Sequence, residues 1–161
     1  LTPAPFDAGS FPKDKLLPEG AEEYGFTKVY RDYNDVLKRY AKWVTEDSPA
    51  DQTIDITNTL TAAIEERRRA DPEFKSGDGV HPNREGYTML AEIILNGLGE
   101  EDVDLEQVPA EKKKWALERQ ALLGTSYREH VGHKRPGAPK NPMPLDDALD
   151  KAAELEAKIR G

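Results

Sequence analysis

The stretch Asp78-Gly79-Val80-His81-Pro82-Asn83-Arg84-Glu85-Gly86-Tyr87-Thr88-Met89-Leu90-Ala91 joins a tight turn to the start of a helix. Gly77 and Gly79 permit a sharp backbone path, and Pro82 stiffens the exit from it. Asn83 is a good N-cap, since its side-chain oxygen accepts from an orphan amide of the first helical turn. Behind it Tyr87, Leu90, Ile93, Ile94 and Leu98 recur at helical spacing. Asp78 stands three residues before His81. A carboxylate there accepts from the imidazole Nδ1–H, fixes the tautomer and leaves Nε2 as a general base toward a hydroxyl. The bare Asp-x-x-His pattern also arises by chance in an acidic chain. Asp78 would then only shape a turn, and His81 would be a solvated loop residue.

Working outward, residues 1–25 carry Pro3, Pro5, Pro12 and Pro18 with Gly9, Gly20 and Gly25, which predicts loop. Leu1-Thr2 reads as the last residues of a strand. Tyr30, Tyr33, Leu37, Tyr40 and Val44 alternate spacings of three and four, so a helix is expected as far as Glu46, with the tyrosines on its packed face. Thr53-Ile54-Asp55-Ile56-Thr57 is short and β-branched and reads as a strand. Its Asp55, set among isoleucines, needs a polar partner. Asn58 or Thr59 caps a helix through Arg69, ended by Asp71-Pro72. Pro109 suits the first turn of a further helix with Trp115, Leu117 and Leu122. Residues 124–144 read as Pro- and Gly-rich loop, and a last helix presents Leu145, Leu149, Ala152, Leu155 and Ile159. Helices alternating with short buried strands point to α/β architecture.

Composition narrows the function. The 161 residues suffice for one domain, yet 34% are charged and the formal charge is −8. An acidic surface repels phosphate backbones, so nucleic acid is not the expected partner. No apolar run approaches the roughly 20 residues of a membrane span, so none is expected. Cysteine is absent, which removes disulfides, thiolate metal sites and a cysteine nucleophile. His130 and His133, three apart, share a helix face only if that segment is helical, and two imidazoles without a clear third ligand make a thin metal site. No metal is assigned. Arg67-Arg68-Arg69 after Glu65-Glu66, and Lys112-Lys113-Lys114 after Glu111, read as solvated helix faces.

The Asp78–Ala91 stretch closely resembles the last signature block of the SGNH/GDSL hydrolase family. Upstream, Thr2-Pro3-Ala4-Pro5-Phe6 looks like the loop after the strand that precedes this region. Tyr33-Asn34-x-x-Leu37-x-x-Tyr40-Ala41 resembles a family helix, and Ile54-Asp55-Ile56 the final buried strand. The resemblance covers about residues 1–98, with 99–161 as a helical C-terminal extension that includes Gly132-His133-Lys134-Arg135-Pro136. It implies the C-terminal part of a three-layer α/β/α flavodoxin-like fold, helix-rich in the portion present. It also implies that Asp78 is the acid and His81 the base of a Ser-His-Asp triad, with no cofactor.

The family's Gly-Asp-Ser block and its oxyanion-hole residues have no counterpart here. Ser10, Ser48, Ser76 and Ser126 all lack that setting, and Ser76 is too close to Asp78 to face His81. With no Met at position 1, the expectation is a piece of a longer esterase whose N-terminal half supplies the nucleophile. Alone, the chain is expected to be inactive. Its substrate would be a small-molecule or carbohydrate ester. The compartment and oligomeric state are open, with a bacterial periplasmic or secreted setting favoured over the cytoplasm. The alternative is a non-catalytic helical interaction or scaffold module.

Overall fold

The structure, a computed structural model, describes residues 1–100, 103–133 and 141–161. The chain divides into two compact units, Leu1–Val103 and Asp104–Gly161. Helix dominates, and the described residues contain one small sheet.

The first unit is built around helices α1 (Tyr33–Glu46), α2 (Ile56–Ala70) and α3 (Arg84–Gly97). Its core is Ile54, Ile56, Leu60, Ile64 and Phe74, with Met89, Leu90, Ile93 and Ile94 of α3 packed against it. Gly97 permits that closeness, because a Cβ added there would lie 2.7 Å from the Ile54 side chain. The caps follow sequence chemistry. Asn83 accepts from the Gly86 amide at 2.9 Å, and α3 starts where expected.

Three expectations for this unit are corrected. Thr53–Thr57 is not a strand: Ile56 opens α2, and Asp55 is its N-cap, accepting from the Asn58 amide at 3.1 Å. The carboxylate thus finds its partners in an orphan amide, the Asn58 side chain and the Thr2 hydroxyl. Residues 1–25 are not all loop. They hold a 3-10 turn at Lys13–Lys15 and strand β1 (Leu16–Leu17), which pairs in parallel with β2 (Val29–Tyr30) in the register Leu16↔Val29, Leu17↔Tyr30. The tyrosine stripe is not packed. Ala41 is the one buried residue of α1, while Tyr33, Tyr40 and Trp43 are 42%, 60% and 55% exposed.

Leu1-Thr2 makes no assigned strand, but it is tied to the start of α2. The Thr2 amide donates to the Ile54 carbonyl at 3.0 Å, and its hydroxyl accepts from the Thr57 amide at 2.8 Å. The buried Thr57 hydroxyl donates to the Pro3 carbonyl at 2.6 Å. Unpaired, these groups would each carry a desolvation penalty.

The second unit packs α4 (Ala110–His130) against α5 (Leu145–Arg160). Pro109 and Pro144 precede the two helices, where a missing amide costs nothing. Helix α4 runs through Gly124 to His130, against the expected loop, since one glycine costs only about 1 kcal/mol in a long helix. On α5, Ala148, Ala152 and Leu155 are buried, and Leu149 of the expected face is 42% exposed. Small alanines let the helices approach, and Arg119 Nε sits 3.0 Å from Glu156 Oε2 between them. No helix among the described residues is long and apolar enough to cross a membrane. Of the expected Gly132–Pro136 motif, Lys134, Arg135 and Pro136 lie outside the described residues, as do Glu101 and Asp102 of the acidic stretch.

Candidate functional site: the Asp78–His81 turn

Residues 76–83 close on themselves before α3 begins. The Asn83 amide donates to the Ser76 carbonyl at 2.6 Å, and the Asp78 amide to the His81 carbonyl at 3.2 Å. Glycine is required at 77, where a Cβ would fall 2.0 Å from the His81 carbonyl oxygen. Gly79 has φ +100° and lies against Phe11 and the Asp7 carbonyl, so a side chain there meets both strain and crowding.

Within this turn the two sequence-derived site residues meet. Asp78 Oδ2 lies 3.0 Å from His81 Nδ1, while Asp78 Oδ1 accepts from the His81 amide at 2.7 Å and the Val80 amide at 2.9 Å. A carboxylate only accepts, so in the neutral imidazole the contact selects the Nδ1–H tautomer and leaves Nε2 with a free lone pair. The bond from the His81 amide, then the one from its ring, then that from the Val80 amide hold the Asp78 carboxyl at about 2. Asp78 is therefore anionic at neutral pH. Both side chains are solvent-accessible, His81 at 78% and Asp78 at 63%.

Asp78, Val80 and His81 form one side of an open cavity of about 1130 Å³. Its other walls come from the Phe6–Phe11 loop, the Gly20–Tyr30 segment and the first turns of α1. Aromatic rings dominate these walls and brace each other. Phe6 meets Phe11 and Tyr33 edge-on at 5.4 and 6.4 Å, and Tyr24 meets Tyr30 at 5.6 Å. Asn34 on α1 clamps the Phe6 backbone, accepting from its amide at 2.8 Å and donating to its carbonyl at 2.7 Å.

A second polar cluster supports the turn from behind. Asp7, buried, accepts from Arg68 Nη2 at 2.8 and 3.0 Å and from the hydroxyls of Ser10 and Ser76, each at 2.5 Å. Burial pushes the Asp7 carboxyl up, but the bonds from Arg68, Ser10 and Ser76 outweigh it and leave it below the usual carboxylate value. The Asp7 amide also donates to the Gly79 carbonyl at 2.9 Å, and the Ser76 amide to the Ser10 hydroxyl at 3.0 Å. The Arg68 guanidinium rests over Gly9. Sequence reasoning missed this cluster. Arg68 sat within a charge run that reads as solvated, and its partner is 61 positions away.

Three of the four serines are hydrogen-bonded elsewhere. Ser10 and Ser76 donate to Asp7, Ser48 accepts from the Ala50 amide, and Ser126 is buried in the second unit. His130 ends α4 while His133 follows Gly132 at φ +71°, so the two do not share a helix face. Among the described residues no group of three or more histidines and carboxylates is placed to hold a metal ion. Comparison with family models, with curated proteins and with solved structures found no match.

Proposed function

We propose that this chain carries the acid and base of an SGNH/GDSL-type serine ester hydrolase, within a three-layer α/β/α flavodoxin-like fold. One observation carries the proposal: an anionic Asp78 holds His81 Nδ1 at 3.0 Å, with the ring at the edge of an aromatic cavity.

In this scheme His81 Nε2 takes the proton of a serine hydroxyl supplied upstream of Leu1. The oxygen attacks the ester carbonyl while Asp78 stabilises the imidazolium. The proton then passes to the departing alcohol, leaving an acyl-serine. Water activated by the same nitrogen hydrolyses it and returns the free serine. The test is hydrolysis of p-nitrophenyl acetate by the polypeptide extended upstream of Leu1. His81→Ala is expected to lower kcat on the order of 10³-fold or more, and an unchanged rate would sink the assignment.

The exposed apolar face of α1, with Tyr40 and Trp43, favours the second reading of a non-catalytic interaction module. That reading predicts no ester turnover in any extended form of the chain.

A further inference from the structure

The Gly20–Tyr30 segment is built to hold aromatic rings beside His81, and nothing in the triad chemistry requires it. Tyr24 is fixed through its proton and one lone pair: its hydroxyl donates to the Pro18 carbonyl at 2.7 Å and accepts from the Ala21 amide at 3.1 Å. The chain then reverses over residues 25–28, with reciprocal Gly25–Lys28 backbone bonds at 2.9 and 3.1 Å. This reversal holds Phe26 at the cavity mouth, 92% exposed. The parallel β1–β2 pair pins the segment at its base. An apolar ring held in water on a pinned turn gains burial only when something fills the mouth beside it.

We infer that this cavity binds a neutral ester whose acyl or alcohol part is a bulky aryl group. Phe26 and Tyr24 would be the rings that contact it. Three features choose this class. At about 1130 Å³ the cavity is far larger than an acetyl or short acyl group requires. Its wall is mostly aromatic and apolar, which matches the flat apolar face of an aryl group. Its charged side chains balance, Lys15 and Arg39 against Glu19 and Asp78, which gives no preference for an anion or a cation. The word "ester" rests on the proposed hydrolase function; the word "aryl" rests on the cavity alone.

The test separates the two by reading binding without turnover. Methyl 2-naphthoate, methyl acetate and glucose 6-acetate are titrated into the isotopically labelled chain and followed by amide NMR shifts. Expected is naphthoate binding at least about tenfold tighter than either other ester, with shifts at residues 24–30 and at His81. Phe26→Ala should weaken it roughly 3- to 10-fold, as loss of one stacked ring does, while Trp43→Ala, outside the cavity, should not. Because Phe26 is exposed, its truncation should leave the rest of the spectrum in place. Equal affinities, shifts centred on Trp43 or the second unit, no binding, or an unaffected Phe26→Ala variant would each overturn the inference. Binding without hydrolysis by the extended polypeptide would count against the hydrolase function alone.

Discussion

The Asp7–Arg68 pair offers the sharpest test of how the His81 turn is held. Arg68→Ala would leave the Asp7 carboxylate, 8% exposed, without its cation. Breaking a buried pair by removing one partner typically costs 3–5 kcal/mol. Two features place the cost at the low end. The hydroxyls of Ser10 and Ser76 and the Gly9 amide still donate to Asp7, and Arg68 is itself 26% exposed, so water can enter. A loss of about 3 kcal/mol is expected, which for a unit near 100 residues lowers Tm by roughly 12–20 °C.

Trp43 is the single tryptophan of the first unit, so its fluorescence in a Trp115→Phe background follows that unit. Arg69→Ala, which removes only an exposed pair with Glu66, is the control and should shift Tm by a few degrees at most. The pH dependence follows from the lowered Asp7 value. A depressed carboxyl contributes stability that is present above its unfolded value of 3.8 and lost as pH falls through the folded value below it. In Arg68→Ala the upward push of burial meets weaker opposition, so the folded value lies closer to 3.8 and the acid loss carried by Asp7 is smaller than in the parent. An Arg68→Ala shift no larger than that of Arg69→Ala would refute the buried-pair account.

Three further outcomes are expected. Asp78 should titrate near 2 by carbon-detected NMR, and in His81→Ala it should rise yet remain below 3.8, because the residue-81 amide still donates; full return to 3.8 would mean the ring dominates. Gly77→Ala should destabilise the first unit by about 3 kcal/mol and erase the Asp78–His81 contact, since its Cβ would strike the His81 carbonyl; Gly20→Ala, with φ +79° and open space around it, should cost only about 1 kcal/mol in urea melts. Asn83→Ala should cost about 1–2 kcal/mol and fray the first turn of α3 in hydrogen exchange, because it removes both the Gly86 cap and the bond to the Lys75 carbonyl.

What was legible in the sequence was local chemistry. Asn83 as a cap, Pro109 as an entry residue, Asp71-Pro72 as a stop and the Asp78–His81 pairing all act within a few positions, and the structure has each of them. Misreadings arose where tertiary partners decide. The β-branched run at Thr53–Thr57 suits a strand, but Asp55 found an orphan helix amide and turned the chain into α2. The tyrosine spacing of α1 is helical as expected, yet periodicity cannot say whether an apolar face meets a core or a cavity. Gly124 was too weak a signal to end a helix that α5 supports along its length. The Asp7 cluster left no pattern at all, since Arg68 and Ser76 join Asp7 and Ser10 from 61 and 69 positions beyond Asp7.

That distance sets a timetable for the nascent chain. The Ser76 hydroxyl reaches back 69 positions to Asp7, and Thr57 reaches back 54 to Pro3. At a synthesis rate of about 5–20 residues per second, Asp7 waits on the order of 3–14 s before its last partner leaves the ribosome. The α4–α5 pair closes over a shorter span, as from Arg119 to Glu156, and helical pairs assemble within milliseconds once both partners are made. The turn bearing His81 is therefore assembled from an end that has long been exposed and an end that has just arrived. Residues 1–12, rich in proline and poor in amide donors, are suited to staying unpaired during that interval.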